Sequence, residues 1–327
     1  PRRLRPGALR GPRGGSGARR NVVSAPALRG RTLGVYVFCC AIWGSTWLII
    51  RIGVRDIRPL TFAGLRMGLS CLLLTPLAWR RSERPTTASE WRRLATSGLL
   101  QIGLAYAGIF LAARWIESGL SALLFSSFPI WVALFAHRML PAEPLTARGA
   151  LAALIGLGGV VVIEGPAAVH ALGGRMGPLF WGGLLVLGSA LVSAYANVLV
   201  KKWLGGVPPA RNVWGQTLVG SALLFSLAAA FERGAAIRWT PAAIASLAYL
   251  VVFGTVLTFV GLFWLVPRVP VAVIGTIPLV DTLIAVVFGA IFLSEALPVR
   301  VIAGGVLVLA GVLLAARAPA RVHPEET

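Results

Sequence analysis

Residues 33–52 read LGVYVFCCAIWGSTWLIIRI, and this stretch carries a single charge, that of Arg51 next to its end. A helix needs about 20 mostly apolar residues to cross the hydrocarbon core of a bilayer, so this stretch predicts a membrane span. Nine more stretches of similar length and composition follow it: 60–79, 94–115, 118–139, 146–165, 177–200, 212–231, 241–266, 271–293 and 297–316. The connections are short, which predicts an all-α polytopic membrane protein of about ten transmembrane helices, with no separate water-soluble domain.

The composition agrees with this class. Hydrophobic residues make up 57% of the chain and charged residues 13%, against about 25% charged residues in soluble domains. Nine of the 31 Lys and Arg residues lie in residues 1–31, and we interpret 1–32 as a disordered basic tail and 317–327 as a short C-terminal tail. An arginine-rich segment that binds RNA is the alternative. We predict no nucleic-acid partner, because anionic lipid headgroups are the more ordinary partner of such a segment in a membrane protein.

The placement of the basic residues predicts the orientation. With both termini inside, the inner segments hold 22 Lys and Arg residues and the outer segments hold 8. The positive-inside rule therefore places both ends in the cytoplasm. The chain contains 29 Arg and 2 Lys, which is typical of a GC-rich genome and favours a bacterial plasma membrane, that is, the inner membrane.

The second five spans repeat the first five. At offsets of 149 to 152 residues, polar and small residues recur in the same order: Arg51 and Lys201, Pro59 and Pro209, Arg66 and Gln216, Pro129 and Pro278, Glu143 and Glu295, Arg148 and Arg300, Gly159 and Gly311. Five spans are an odd number, so the second unit must be inserted upside down relative to the first. Inverted-topology repeats are typical of secondary transporters, whose site lies between the two units near the midplane. A duplicated scaffold without transport is the alternative.

At these residues the chain resembles the EamA family of the drug/metabolite transporter superfamily. The first half carries Ile42-Trp43-Gly44-Ser45-Thr46-Trp47, Leu65-Arg66-Met67, Phe128-Pro129-Ile130 and Glu143-Pro144-Leu145-Thr146, and the second half carries Ile277-Pro278-Leu279 and Leu293-Ser294-Glu295-Ala296-Leu297. The resemblance implies two EamA-like five-helix repeats, at 33–165 and 177–316, in inverted orientation around a central cavity. It also implies a transporter that usually exports metabolites, amino acids or drug-like amphiphiles.

Arg66 and Asp281 are the clear charges inside the predicted spans. A charge at the centre of a membrane helix costs about 2.5–3.5 kcal/mol, so such residues normally face a wet cavity or a partner. At about 1.5 Å of rise per residue, the depths of the two residues in the bilayer differ by only about 6 Å. They either pair with each other, or each lines the cavity. The alternatives are structural: Arg66 as a snorkelling cation or a clamp on backbone carbonyls, and Asp281 as the partner of Arg66 or of a hydroxyl such as that of Thr282.

Asp281 departs from the family pattern, which commonly has an apolar or small residue at this place. A role in proton coupling therefore follows from physics alone, and protons are the predicted coupling ion. The other candidate substrate-binding residues share a polar or aromatic character inside a span: Gln216, Trp43, Thr46, Tyr106, Trp131, Tyr195 and Asn197. Helix packing or interfacial anchoring is the alternative for each of them.

Pro129 and Pro278 occupy matching places and predict a helix kink in each half, because proline removes one backbone hydrogen bond. Small residues crowd the fifth and tenth spans and predict close helix packing there. The three cysteines are interpreted as small apolar residues, and the chain shows neither metal-ligand spacing nor a nucleotide-binding loop. We therefore predict that the protein binds no cofactor and no metal and that it is not an enzyme. A multi-span membrane enzyme is the alternative for the activity, and import is the alternative for the direction of transport. A homodimer is possible for the assembly.

Overall fold

The computed structural model describes residues 30–78, 87–141, 145, 147–172, 177–204, 206–234, 237–265 and 277–316. Within these residues the chain is helical and contains no strand. The predicted tails are therefore outside the described residues, apart from residues 30–32, which begin the first helix. Glu143 and Pro144 of the sequence motif are outside them as well.

Ten helical rods follow one another in the described part of the chain. The continuous ones are α1 (Gly30–Gly53), α2 (Pro59–Ala78), α5 (Ala147–Leu172), α6 (Pro178–Leu204), α7 (Pro209–Phe231), α9 (Ile277–Leu293) and α10 (Val299–Ala316). The other three change geometry along their length. They are α3 (Ala88–Gly98, Leu99–Leu104 and Ala105–Ala112), α4 (Ser118–Phe125 and Phe128–Met139) and α8 (Pro241–Val251, Val252–Leu257 and Thr258–Leu265).

Seven of these rods are long and apolar enough to cross a membrane, namely α1–α4 and α6–α8. The apolar parts of α5, α9 and α10 are shorter: Ala147–Ile163, Val280–Leu293 and Val299–Leu314. An α-helix of 17 residues such as α9 rises about 26 Å, which is slightly less than the hydrocarbon thickness of about 30 Å. The structure thus supports a polytopic membrane protein, while ten crossings stay a prediction.

Apart from the start of α9, before which residues 271–276 are outside the described part of the chain, two predicted span boundaries differ from the described helix ends by more than four residues. The third span was expected to begin at residue 94, but α3 begins at Ala88, because the Thr87 hydroxyl accepts from the Glu90 backbone N–H at 3.1 Å and caps the helix. Polar residues therefore extend the helix beyond the apolar stretch. The fifth span was expected to end at residue 165, whereas α5 continues to Leu172.

Helix packing follows a regular scheme. The most extensive contacts are α5 with α10, α2 with α7 and α3 with α6, followed by α3 with α7, α4 with α6, α8 with α1, α1 with α9, and α4 with α9. The contacts are symmetric when each helix of α1–α5 is replaced by the corresponding helix of α6–α10, and the reverse. Every pair named above then maps onto itself or onto another pair in contact. For example, α3 with α7 maps onto α8 with α2, and these two helices are also in contact. The inverted orientation of the two units remains a prediction.

The predicted close packing of the small residues occurs between α5 and α10. A Cβ atom placed on Gly159 would lie 2.5 Å from the backbone oxygen of Gly304, and one on Gly311 would lie 2.6 Å from that of Ala152. The main hydrophobic core lies elsewhere, among α1, α2, α3, α7 and α8. This core surrounds the residues that carry the candidate site.

Candidate functional site

Arg66 lies in α2 with only 3% of its surface exposed. Its Nε donates to the Thr255 hydroxyl at 3.2 Å and its Nη2 donates to the Gly254 carbonyl at 3.2 Å. The guanidinium carbon also lies 5.4 Å from the centre of the Tyr106 ring, a cation–π distance. Hydrogen bonds to a charged group are worth about 1.5–3 kcal/mol each, so they offset part of the cost of burying this cation.

Gly254 and Thr255 belong to a π-helical turn of α8, Val252–Leu257. The turn is wider than an α-helical one, and the Thr255 hydroxyl donates to the Leu250 carbonyl five residues back, at 3.0 Å. Single π turns inside α-helices are frequent at functional sites. Here the turn directs a hydroxyl oxygen and a backbone carbonyl toward the guanidinium.

Thr46, Tyr106 and Arg66 were predicted separately and lie around this turn. A Cβ atom on Gly254 would lie 3.1 Å from Thr46 Cγ2 and 3.3 Å from Arg66 Nη2, so only glycine fits here without displacing a neighbour. The Thr46 hydroxyl donates to the Trp43 carbonyl at 2.6 Å and is thus occupied within α1. The three predicted residues therefore form one cluster that joins α1, α2, α3 and α8.

Aromatic side chains extend this cluster. The ring centres of Trp47 and Phe125 are 5.5 Å apart, and Phe125 stacks on Phe128 at 5.8 Å with nearly parallel planes. Trp43 lies edge-on to Phe259 at 5.9 Å, and the Ser45 and Tyr249 hydroxyls are 2.7 Å apart. Trp43 and Trp47 are half-buried, so flat apolar surfaces lie on the same helices as the arginine cluster.

Gln216 lies in another place, at the α3 side of α7. Its amide nitrogen donates to Asn212 Oδ1 at 2.6 Å within the same helix. Its backbone packs against Gly98, where a Cβ atom would lie 2.8 Å from the Gln216 carbonyl oxygen. Gly98 directly precedes a second π turn, Leu99–Leu104. Arg66 and its repeat mate thus each lie beside a π turn, but they do not form one cluster in the described residues.

Trp131, Tyr195 and Asn197 form part of a third group on α4 and α6. Trp131 Nε1 donates to the Ser127 hydroxyl at 3.3 Å, and Tyr195 lies edge-on to Phe135 with ring centres 5.4 Å apart. The amide nitrogen of Asn197 donates to Gln101 Oε1 at 3.3 Å. Tyr195 and Asn197 are exposed in the absence of lipid. The structure therefore divides the predicted site into separate groups.

Asp281 lies half-buried in α9 against α1. The Thr282 hydroxyl lies 3.4 Å from its Oδ1, and the Asp281 backbone carbonyl faces Gly44. The ion pair that was one alternative for Arg66 is absent, since the described residues contain no ion pair between it and Asp281. A partnership with Thr282, or a place on the wall of a cavity, remains for Asp281.

The two prolines lie at helix starts. Pro129 is the second residue of Phe128–Met139, after a break at Ser126 and Ser127 whose hydroxyls donate to the Leu123 and Leu124 carbonyls. Pro278 is the second residue of α9, and residues 271–276 before it are outside the described part of the chain. The bend in the first half is therefore a helix break.

A groove of about 270 Å³ lies between α3 and α6, lined by Leu104, Ala107, Gly108, Leu111, Leu184, Leu185, Gly188, Ser189 and Val192. Its lining is almost entirely apolar and includes none of the predicted site residues. We interpret it as a surface that faces lipid, because an apolar groove on the outside of a bundle is solvated by acyl chains.

Two carboxylates that cap helix starts were not predicted as site residues. Glu232, at the end of α7, accepts from the backbone N–H groups of Leu60 and Thr61 at 2.9 and 2.8 Å. Glu295 accepts from the Ser118 and Gly119 backbone N–H groups at 2.8 and 3.0 Å. Carboxylates are stabilising at helix N-termini, so both residues fasten the second half of the chain to helices of the first half.

Glu117 lies beside the Glu295 cap. Burial and the nearby Glu295 carboxylate raise the pKa of the Glu117 carboxyl group, while the Arg51 guanidinium opposes this shift. Arg51 itself donates to the Ala113 and Ile116 carbonyls, each at 2.6 Å. Charged groups thus concentrate where α1 ends and α4 begins.

The apolar helices and the buried polar cluster are those of a multi-pass membrane protein. A family model, the EamA-like transporter family, matches residues 32–165 and again residues 180–317. The chain belongs to this family of membrane transporters.

Curated relatives agree with this assignment. The uncharacterized transporters YoaV and YvbV of Bacillus subtilis are 27% and 28% identical to this chain, over 84% and 87% of it and 92% and 91% of their own lengths. The uncharacterized inner membrane transporter YedA of Escherichia coli K12 is 25% identical, over 84% of this chain and 87% of its own length. A solved crystal structure of a protein that is 19% identical has a TM-score of 0.52, covers 86% of this chain and 96% of its own, and shows the same fold.

Proposed function

We propose that this protein is a secondary active transporter that exports a small metabolite, an amino acid or an amphiphilic drug. The substrate would bind in a midplane cavity between the two five-helix units, which opens alternately to each side of the membrane. The observation that carries this proposal is the buried Arg66, which is bound to the π turn of α8 and lies at a cation–π distance from Tyr106. A buried charge of this kind inside a membrane helix is the expected mark of a substrate pathway.

Two findings support an inverted repeat of ten helices. The family model matches the chain twice, in halves of similar length. The helix contacts also exchange into one another when the two halves are interchanged. Units of five helices have opposite orientations whenever each helix crosses the bilayer once. Such a pair of units supplies the pseudo-symmetric halves that alternating access requires.

Both termini are placed in the cytoplasm in this proposal. Single cysteines at Ser89 and Arg55, which are exposed near opposite ends of the bundle, test the orientation in a variant that lacks Cys39, Cys40 and Cys71. Ser89→Cys should react with an impermeant thiol reagent only from inside the cell, and Arg55→Cys only from outside. The reverse labelling would overturn the orientation.

Asp281 is proposed to couple transport to protons. A half-buried carboxyl group beside a hydroxyl can exchange a proton as the cavity opens to either side. Asp281→Asn should then abolish uphill transport driven by a pH gradient, while equilibrium exchange of substrate continues. If Asp281→Asn still transports uphill on a pH gradient, the coupling lies at another residue.

The central experiment is a flux screen in reconstituted vesicles with amino acids, amines and amphiphilic drugs, with and without a pH gradient. Wild-type protein should move at least one substrate, and the sidedness of the vesicles gives the direction. Arg66→Leu should insert normally and abolish that flux, whereas the control Arg55→Leu removes an exposed charge and should retain it. Wild-type rates in Arg66→Leu would exclude this role for Arg66.

A further inference from the structure

The described residues accept only some of the hydrogen bonds that the Arg66 guanidinium can donate. A guanidinium group has five N–H donors, and the described residues accept two of them, from Nε and from Nη2. The fully enclosed polar atoms without a partner include no nitrogen of Arg66 in the described structure. Nη1 therefore has no hydrogen-bond partner among the described residues and is not fully enclosed, which makes the edge that it forms with Nη2 the part of the buried guanidinium left for a small polar group.

No acidic side chain that the structure describes neutralises this cation. Each of those side chains has other neighbours: Asp56 bonds to Thr240, Glu90 pairs with Arg211, Glu232 and Glu295 cap helices, Glu117 faces Arg51, and Asp281 lies beside Thr282. The cluster around Arg66 consequently carries a net positive charge in an apolar region, in which an anion is attracted strongly and a cation is repelled.

One aromatic ring contacts the guanidinium, and others pack on the same hydrophobic core. Tyr106 lies against the guanidinium, and Trp47 and Phe125 belong to the partly buried aromatic residues that pack on the same core. Such aromatic surfaces pack well against a planar hydrocarbon group, whereas a strongly hydrated inorganic anion would make few apolar contacts with them. The open edge offers two parallel N–H groups, the arrangement that binds a carboxylate through both of its oxygens.

We propose that the substrates of this protein are organic anions in which a flat apolar body carries a carboxylate, and that the open edge of Arg66 binds the carboxylate. The inference rests on the proposed transport function and adds the substrate class. The π turn of α8 holds the other edge of the guanidinium, so the donors are oriented before the substrate arrives. A clamp that served the fold alone would have no need of an open edge in a net positive cluster.

The test uses three probes of nearly equal shape: 3-phenylpropanoate, 3-phenylpropanamide and 3-phenylpropylamine. Their affinities for the purified full chain in lipid nanodiscs are measured by titration calorimetry. Wild type should bind the anion about tenfold more tightly than the isosteric amide, because a charge-assisted pair replaces a neutral one, and the amine most weakly. Arg66→Met should reduce the affinity for the anion to that for the amide, while Arg55→Met, a loss of charge on the exposed surface, should leave the order unchanged.

Arg66→Lys keeps the charge and removes the paired donors, so it should lower the preference for the anion by about threefold or more. This variant decides the question if Arg66→Met fails to reach the membrane. Equal wild-type affinities for the three probes, a preference that survives Arg66→Met, or an unchanged preference in Arg66→Lys would each overturn the inference. Flux of a neutral or cationic substrate in the vesicle screen would overturn the substrate class and leave the proposed transport function standing.

Discussion

The two π turns in the described residues lie in matching places of α3 and α8 but have different partners. The turn in α8 receives the charged side chain of Arg66, through a hydroxyl and a backbone carbonyl. The turn in α3 is approached by the backbone of Gln216, whose neutral amide bonds instead to Asn212 in its own helix. The two turns thus share a backbone deformation, while among the described residues only the α8 turn binds a charged side chain. We infer that the deformation belongs to the fold and that the charge gives the α8 turn a chemistry of its own.

The two ends of the bundle differ as well. Where α2 and α4 begin, Glu232 and Glu295 bind backbone N–H groups. At the opposite end, where α3 and α7 begin, Glu90 and Arg211 form an ion pair at 3.1 Å. A carboxylate that caps a helix depends on the helix keeping its position, whereas an ion pair between two long side chains tolerates some displacement. The two ends should therefore differ in how far their helices can separate.

The substitution Gln216→Arg places a guanidinium beside the π turn of α3, as Arg66 does beside the π turn of α8. The Gln216 backbone is packed closely on Gly98 and its amide bonds to Asn212 in its own helix, whereas the Arg66 guanidinium is bound to the Gly254 carbonyl of a neighbouring helix. We expect a loss of stability of about 2.5–3.5 kcal/mol, the cost of an uncompensated charge in a membrane helix. Thermal unfolding in detergent measures the loss, with Gln216→Leu as the uncharged control. Equal stability of Gln216→Arg and wild type would show that the two turns are equivalent.

Thr255→Val tests the contact at the α8 turn. The substitution removes the oxygen that accepts from Arg66 Nε and the hydroxyl that donates to the Leu250 carbonyl. Loss of a hydrogen bond to a charged group should cost about 1.5–3 kcal/mol of unfolding free energy. The matched control is Thr217→Val, because the Thr217 hydroxyl donates to backbone carbonyls of its own helix and to no charged group. A loss no larger than that of the control would mean that Thr255 contributes little to holding Arg66.

Gly98→Ala and Gly254→Ala compare the two close approaches directly. The new methyl group at residue 98 would meet the backbone of Gln216 at 2.8 Å, and a backbone atom cannot move away cheaply. At residue 254 it would meet the ends of the Thr46 and Arg66 side chains at 3.1 and 3.3 Å, which can shift slightly. We expect Gly98→Ala to lose about 1–3 kcal/mol of stability and Gly254→Ala to lose less. The opposite order in thermal unfolding would contradict this reading of the two turns.

Glu117→Gln gives the smallest expected effect. Because the pKa of Glu117 is raised in the folded protein, its contribution to stability is complete below its ordinary pKa and is lost as the pH rises through the raised value. The glutamine variant cannot ionise, so it should match wild type in acid and be slightly more stable at neutral pH. Unfolding curves at a series of pH values measure the difference. A variant that is less stable than wild type at neutral pH would show that the Glu117 charge is favourable.

The sequence predicted the apolar helices and several members of the Arg66 cluster. The length of an apolar stretch, and a charged residue inside it, can be recognised from the order of the residues alone. It did not predict the π turns, since their extra residue is accommodated by contacts between helices that are distant in sequence. Asp281 illustrates the same limit. Its depth was compatible with an ion pair to Arg66, but depth leaves the direction around the helix axis open, and the structure has Asp281 against α1. The Glu232 cap was missed for the same reason, since it joins residues more than 170 positions apart.

The break in α4 divides this helix into two segments that pack on different helices. Ser118–Phe125 packs mainly on α9 and is fastened by Glu295, while Phe128–Met139 packs mainly on α6. Bending at the two serines costs little, because their hydroxyls already occupy the carbonyls that the break would leave exposed. A rigid rod would force both ends of α4 to move together. In the proposed alternating-access cycle, the break would let one segment of α4 keep its contacts while the other segment changes position.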